Sequence, residues 1–208
     1  MKLALFYDFE TQALPLFNEP SEHPGQPHFV QVGAELVDLD TRRVFSTLDV
    51  VVKPDGWTIP DETADIHGIT TELALQVGIP EHIALRMLLA MWRRAEIRIG
   101  HNEPFDARIA RIACMRFLDA ETADEWKAGK AACTQLISTP ILKLPPTAKM
   151  KAAKRFHHKS ANLGEAYEFF TGKKLEGAHS AIVDVRAAQA VYFAATSPMA
   201  AALEAIEA

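Results

Sequence analysis

The chain has 208 residues, a typical length for one compact domain with a sizeable buried core. Hydrophobic residues make up 49% and charged residues 24%, as in a soluble globular protein, and no run of eighteen apolar residues predicts a transmembrane helix. The net charge of −5 argues against a nucleic-acid partner bound by an evenly basic surface.

The first part of the chain predicts a strand, a long loop and a strand pair. Residues 3–8 are mostly apolar and predict a strand buried on both faces. Residues 13–28 contain four prolines and predict a loop long enough for a functional excursion. Residues 29–37 and 45–52 are predicted strands, and the turn-like segment 38–41 between them predicts antiparallel pairing.

The rest of the chain alternates predicted helices with one short strand. Residues 54–60 predict a loop and residues 139–160 a mobile loop with no regular element, while 96–99 predict a short strand. Helices are predicted over 70–77, 81–95, 104–118, 161–170 and 180–195. Strands first and mixed elements later predict an α/β fold, a mixed central sheet flanked by helices, in a single domain over 1–208.

Cysteine usage and the N-terminus predict a cytoplasmic protein. Cys114 and Cys133 form neither a CxxC pair nor a zinc-ligand spacing, so we expect reduced, partly buried thiols. Lys2 precedes an apolar run that is too short for the core of a signal peptide.

Basic residues are concentrated in one stretch of this acidic chain. From Lys127 to Gly164 there is no Asp or Glu. The same stretch carries eight cations: Lys127, Lys130, Lys143, Lys149, Lys151, Lys154, Arg155 and Lys159. Two interpretations stay open, a solvated loop with scattered lysines and an electrostatic guide for phosphates, in which residues 143–159 fold over a substrate strand.

Asp8 and Glu10 are the first candidate site residues. Side chains two apart on a strand point to the same face, and two adjacent carboxylates repel unless a divalent cation bridges them. The same spacing recurs at Asp38/Asp40 and Asp119/Glu121, which we interpret as solvated because they lie in turn or surface contexts. Asp8 and Glu10 differ because they follow a core strand.

Two further groups contain candidate residues, each with a structural alternative. Asp106 follows the segment Gly100 to Phe105 and lies in the first turn of a predicted helix, where a lone Asp commonly interacts with the helix dipole. His179 lies at the start of the last predicted helix, and Asp184 lies within it among small apolar residues. Taken alone, Asp184 fits a surface ion pair with Arg186, and His179 fits a helix cap.

Together these groups resemble a known family. Asp-x-Glu at 8–10, Asp106 after a His-Asn turn, and His-x-x-x-x-Asp at 179–184 occur in the order found in the DEDDh branch of the DnaQ-like exonucleases. The segment His67-Gly68-Ile69-Thr70 is similar to the substrate-gripping loop of that family, and the resemblance runs over about residues 3–195. It implies an RNase H-like fold.

The resemblance implies a 3′–5′ exonuclease that releases nucleoside 5′-monophosphates from DNA or RNA. Four carboxylates would hold two Mg²⁺ or Mn²⁺ ions: Asp8, which would bridge both, Glu10, Asp106 and Asp184. One ion would activate a water whose proton His179 would accept as general base, and the other would stabilise the departing 3′ oxygen. Oxygen ligands fit hard Mg²⁺ or Mn²⁺ rather than zinc.

The resemblance also implies residues that contact a single-stranded 3′ end: Thr11, His67, Ile69, Asn102 and Phe105. A polymerase is a further candidate partner. In the family a Thr-Gly pair often follows the first Glu-Thr, whereas here Gln12 and Ala13 follow Thr11. That departure leaves the choice between DNA and RNA open.

Three alternatives remain at the level of sequence. The chain could be an inactive module that binds nucleic acid or tethers a polymerase, although all five expected catalytic positions are filled. It could hydrolyse a small phosphoester, which the basic stretch disfavours, or act as an exoribonuclease or oligoribonuclease. No GxSxG, Walker or GxGxxG motif indicates another chemistry.

Overall fold

The structure, a computed structural model, describes residues 1–197. Within that range the chain forms six strands: β1 (Leu3–Thr11), β2 (Phe29–Asp38), β3 (Val44–Lys53), β4 (Ile79–Pro80), β5 (Ile97–Gly100) and β6 (Ala131–Cys133). They form one mixed sheet in the order β4-β3-β2-β1-β5-β6. The predicted antiparallel pairing of β2 with β3 is confirmed, and β1, β5 and β6 run parallel.

Nine helices flank the sheet in the described residues. They are α1 (Asp61–His67), α2 (Thr71–Val77), α3 (Glu81–Trp92), α4 (Glu103–Phe117), α5 (Ala120–Ala128), α6 (Thr134–Leu142), α7 (Ala148–Ala152), α8 (Leu163–Thr171) and α9 (Ala181–Ala195). The predicted α/β class is confirmed. None of these helices has the length and hydropathy needed to cross a bilayer. Residues 198–208 of the predicted domain lie outside the described residues.

Alternation along β1 divides the core into two layers. Leu5, Tyr7 and Phe9 pack with residues of α3, α4 and α5 on one face of the sheet. Ala4 and Phe6 pack on the other face against α9. Because side chains alternate along a strand, Asp8 and Glu10 belong to the α9 face.

The prediction that residues 139–160 lack regular structure was wrong. Residues 139–142 complete α6, which contains Pro140, and residues 148–152 form α7. Pro140 removes one helical donor but is tolerated near the end of a short helix, so its presence does not exclude a helix here. Five further elements were not predicted: α1, α5, α6, β4 and β6. Of these, β4 and β6 have only two and three residues, too few for a periodic pattern.

Three smaller expectations also need correction. β1 continues through Thr11 rather than ending at Asp8, so Asp8 and Glu10 lie within the strand. Asp38 is not solvated: its side chain is buried in the β2–β3 hairpin and accepts hydrogen bonds from Thr41 Oγ1 and the backbone of Asp40, which lower its pKa. Both cysteines are buried rather than partly buried.

A buried polar network joins the start of α4 to strands β1 and β5. Tyr7 Oη donates to Glu103 Oε1 at 2.8 Å, and Arg98 Nε donates to the same oxygen at 2.7 Å. Arg98 Nη1 also donates to the carbonyl oxygens of Trp126 and Gly129. The network compensates the buried charge of Glu103, the first residue of α4, and so fixes where α4 begins.

The Arg98→Met variant should therefore lose about 3–5 kcal/mol of unfolding free energy in urea, because the Glu103 carboxyl would remain buried without its cationic partner and with Tyr7 as its only side-chain donor. Arg93 forms the matched control, since its pair with Glu125 is exposed at 3.7 Å. Arg93→Met should cost less than about 1 kcal/mol. Equal losses in the two variants would contradict a stabilising role for the buried pair.

Candidate active site

The carboxyl ends of β1, β5 and β6 meet at one edge of the sheet, where α4, α6 and α9 begin. A β-bulge between Glu10 and Thr11 shifts the register of β1 against β2 at this edge. Bulges of this kind redirect side chains and are common beside functional sites. Asp8 and Glu10 lie next to the bulge, half-buried, on the face covered by α9.

Asp106 reaches this edge from α4. The pairing of β1 with β5 ends at Phe6, so the backbone of β1 has no strand partner beyond that residue on this side. The Phe9 N–H, which points to the same side, donates instead to Asp106 Oδ1 at 3.1 Å. Asp106 is buried, and this bond holds its carboxylate between Asp8 and Glu10 along the strand.

Asp184 and His179 reach the edge from the start of α9. The His179 N–H donates to Asp184 Oδ2 at 3.2 Å, while Asp184 Oδ1 is buried without a hydrogen-bond partner. His179 is exposed and has a φ of 66°, in the left-handed region that non-glycine residues seldom adopt. The surface pair between Asp184 and Arg186 does not form, because Arg186 pairs with Glu35.

Three of the predicted site residues place ligand atoms close together. One side-chain atom each from Glu10, His179 and Asp184 lies within 4.8 Å of the others. These atoms come from β1, the α8–α9 loop and α9, so residues more than 160 positions apart converge. The structure therefore brings Glu10, His179 and Asp184 together at one sheet edge. Asp8 and Asp106 lie outside this group and reach the same edge from β1 and α4.

The carboxylates at this edge disturb one another. Burial and the charges of Asp106, Asp184 and Glu10 hold the pKa of Asp8 well above its usual range. Burial, followed by the charge of Asp184, raises the pKa of Glu10 to about 7. Burial also raises the pKa values of Asp106 and Asp184. Asp8 and Glu10 each interact with the other three carboxylates.

Such a site fits divalent cations. Closely spaced carboxylates whose ionisation is suppressed in the metal-free protein gain a counter-charge when a cation binds. The partnerless oxygen of Asp184 supplies a buried acceptor with no protein donor. The residues suited to hold the ions are all oxygen donors, a preference of Mg²⁺ and Mn²⁺: Asp8, Glu10, Asp106 and Asp184.

The five residues expected to contact substrate surround this edge unevenly. Thr11 follows the bulge, and Asn102 is exposed at the start of α4 with a φ of 61°. Burial, followed by the charge of the nearby His179, lowers the pKa of His67. Phe105 is half-buried against the main core. Ile69 is buried with Val30 and Ala74, so its packing positions the His67 loop.

Sequence reasoning missed three residues of β2 that position α9. Gln31 Oε1 accepts from the Ala181 N–H at 3.2 Å, and Glu35 accepts from Arg186 and Gln189. Between them, Gly33 pairs with Asp8 in the sheet and has no side chain to separate α9 from β2. A glycine in the interior of a strand is the signal that could have revealed this close approach.

Comparisons with known proteins agree with this geometry. The chain matches the family model RNase_T, described as Exonuclease, over residues 5–192. No curated protein sequence matches the chain significantly. The family match covers every residue of the candidate active site and confirms the resemblance to DnaQ-like exonucleases drawn from the motifs.

Solved structures show the same fold. E. coli Exonuclease I in complex with a dT13 oligonucleotide superposes with a TM-score of 0.75 at 18% identity, over 98% of this chain and 43% of that chain. The zinc ion bound form of the E. coli ExoI–ssDNA complex superposes with a TM-score of 0.73 at 17% identity, over 97% and 42%. The chain thus spans less than half the length of these structures.

Replacing Gly33 by alanine should displace the start of α9. The added Cβ would lie 2.5 Å from the carbonyl carbon of Ala181 and 2.6 Å from the nitrogen of Ile182, so backbone must move. We expect a loss of about 1–3 kcal/mol of unfolding free energy, typical of overpacking, together with weaker Mn²⁺ binding by calorimetry.

Gly164 in α8 offers the control, because a Cβ there would meet its nearest heavy atom at 3.6 Å. Gly164→Ala should leave Mn²⁺ affinity unaltered and stabilise α8 slightly. If Gly33→Ala bound Mn²⁺ as tightly as the unsubstituted protein, the close approach of α9 would not set the geometry of the acidic residues.

The carboxylates should make the metal-free protein less stable as pH rises. A carboxyl with a raised pKa contributes stability that is fully present below its unfolded pKa and is lost as pH rises through the folded pKa. For Glu10 that window runs from 4.5 to about 7. The melting temperature in EDTA should fall across it, and Mn²⁺ should restore most of the fall at the upper end.

Glu10→Gln should flatten this fall, whereas the exposed Glu62→Gln should not. Scanning calorimetry of the three proteins from pH 4 to pH 8 makes the comparison. Identical pH profiles for the Glu10 variant and the unsubstituted protein would exclude Glu10 as a source of the dependence.

Proposed function

The chain belongs to the RNase_T exonuclease family, and we propose that it is a metal-dependent 3′–5′ exonuclease that releases nucleoside 5′-monophosphates from a single strand. The observation that carries this proposal is the convergence of four acidic side chains from β1, α4 and α9 beside an exposed histidine. Each carboxylate alone has an ordinary structural explanation, but their joint burial at one edge does not.

The acidic residues are proposed to hold two divalent ions. Asp8 and Glu10 both interact with the other three carboxylates, and the family resemblance assigns Asp8 as the shared ligand. Bound Mg²⁺ or Mn²⁺ would supply charge neutralisation on the phosphate and a water that loses its proton near neutral pH. The protein contributes the fixed positions, through the Phe9 N–H on Asp106 and the His179 N–H on Asp184.

His179 is proposed to be the general base. Its imidazole is exposed and close to Glu10 and Asp184, so it can receive a proton from a water and pass it to solvent. The bond from the His179 N–H to Asp184 holds the left-handed backbone of His179 beside the acidic residues.

The terminal nucleotide is proposed to lie among Thr11, His67, Asn102 and Phe105. His67 Nδ1 accepts from the Ile69 N–H at 3.2 Å, while its Nε2 is buried without a partner and is available to a ligand. Asn102 is exposed beside the start of α4. Ile69 contributes by packing beneath His67, and any direct contact with a base stays a prediction.

Single-stranded DNA is the first substrate class to test. E. coli Exonuclease I, which has this fold, has been solved in complex with a dT13 oligonucleotide and with single-stranded DNA. RNA remains the alternative, because Gln12 and Ala13 replace the residues that often follow Thr11 in the family. A polymerase partner stays a prediction. An inactive tethering module is disfavoured, since none of the five catalytic positions is substituted.

The reaction is tested on 5′-labelled single-stranded DNA and RNA oligonucleotides of equal sequence. We expect a ladder that shortens from the 3′ end with Mg²⁺ or Mn²⁺ and disappears with EDTA, because the carboxylates have no catalytic role without the ions. The faster substrate identifies the strand preference. Metal binding without any ladder on both strands would instead support a tethering module or a small phosphoester substrate.

His179→Ala should reduce kcat by roughly 10²–10⁴-fold, the usual contribution of a general base, and should keep Mn²⁺ affinity. His82, exposed on α3, provides a control that should retain full turnover when replaced by alanine. A His179 variant that loses Mn²⁺ along with activity would show that the imidazole acts as a ligand, which its proximity to Glu10 also allows.

A further inference from the structure

Within the basic stretch that lacks Asp and Glu, one segment extends from the body of the protein and returns to it, and its two ends are hydrogen-bonded to each other at its base. The Lys159 N–H donates to the Leu144 carbonyl oxygen at 3.0 Å, so the two ends of the segment meet. Leu142 and Leu144 pack beside Ala161 and Val191 and anchor that base to the body. We call residues 145–158 the basic excursion. It contains α7, which is capped by the Thr147 side chain.

The excursion returns to the body beside the candidate active site. Ala161, two residues after its base, accepts a hydrogen bond from His101 Nε2 at 3.0 Å and another from Gln135 Nε2 at 3.2 Å. His101 in turn precedes Asn102, at the carboxyl end of β5. Burial lowers the pKa of His101, so this link is held by a neutral ring. The excursion therefore leaves the fold at the edge that carries the acidic residues.

The charges of the basic excursion are uncompensated. Its four cations are exposed and have no ion pair among the described residues: Lys149, Lys151, Lys154 and Arg155. Lys159 at the base differs, because it pairs with Glu165. Four like charges within seven residues repel one another and present a site for a polyanion.

An exposed aromatic ring accompanies these charges. Phe156 is 72% exposed and directly follows Arg155. Apolar rings interleaved with cations are the arrangement by which proteins hold single strands, since bases stack on the ring while cations bind the phosphates. A segment of acidic side chains alone would satisfy the cations but would leave the ring without a stacking partner, whereas every nucleotide of a strand carries both a phosphate and a base.

We propose that the basic excursion binds the single strand on the 5′ side of the terminal nucleotide, with its cations on phosphates and Phe156 against a base. This inference rests on the proposed function, because it takes the strand in the site to be the strand that the excursion contacts. It assigns the excursion a role in substrate length dependence, separate from bond hydrolysis.

The test compares two variants with equal charge changes. The first replaces Lys149, Lys151, Lys154 and Arg155 by Gln. The control replaces four cations near the opposite edge of the sheet, where β1, β5 and β6 begin: Lys2, Arg94, Lys127 and Lys130. Each variant is assayed with Mn²⁺ on two substrates. One is an oligothymidylate of about 20 nucleotides, and the other is thymidine 5′-monophosphate p-nitrophenyl ester, which has no phosphate on the 5′ side of the scissile bond for the excursion to bind.

We expect the excursion variant to lower the ratio of kcat/KM for the oligonucleotide to that for the ester by roughly tenfold or more at low salt. Its salt dependence should also weaken by about 0.7 in logarithmic slope for each phosphate that the variant no longer binds. The control should keep both values. An equal ratio in both variants, or a parallel loss on the two substrates, would overturn the proposal.

Binding without turnover separates this proposal from the proposed function. Fluorescence anisotropy with labelled oligothymidylate in EDTA should show weaker binding by the excursion variant, even if no strand is hydrolysed with metal. Phe156→Ala should weaken binding of oligothymidylate but not of an abasic strand of equal length. Competition by polyglutamate as effective as by oligothymidylate would assign the excursion to an acidic protein and overturn strand binding.

Discussion

Mutual repulsion among carboxylates is the constraint on which the candidate site depends. Asp8, Glu10, Asp106 and Asp184 are held together although burial and their own charges oppose their ionisation. In the metal-free protein the hydrogen bonds from the Phe9 and His179 N–H groups offset only part of that opposition, so the rest of the fold must impose the cluster. The cluster is best understood as a local destabilisation that becomes favourable only when cations bind.

Contacts away from the acidic residues hold the two helices that carry Asp106 and Asp184 in place. On β2, every second residue faces α9 and each contributes differently, since Gln31 caps its first turn, Gly33 allows close approach and Glu35 binds two of its side chains. On the opposite layer, the Arg98–Glu103 pair fixes the start of α4. Each of the two helices that bring an acid to the edge thus has its own buried anchor.

The candidate site residues and the main elements could be predicted from the sequence, but the anchors could not. Periodicity located the long helices and strands to within a few residues because each repeats its pattern over several turns. It did not find α6 or α7, for which no helix was predicted. Gln31 and Glu35 were not predicted to matter, because a polar residue on a strand has no sequence mark that distinguishes a buried anchor from a solvated side chain.

The early end of β5 has a consequence for how this fold can vary. The pairing of β5 with β1 stops at Phe6, which leaves the Phe9 N–H for Asp106. If β5 grew by a few residues in the same register, its backbone would compete for that donor, and the sheet would gain ordinary ladder bonds while losing an acidic residue from its edge. Strand length at this edge is therefore a chemical variable: a chain of this fold could lose its acidic centre through better sheet formation alone, with every carboxylate still in its sequence.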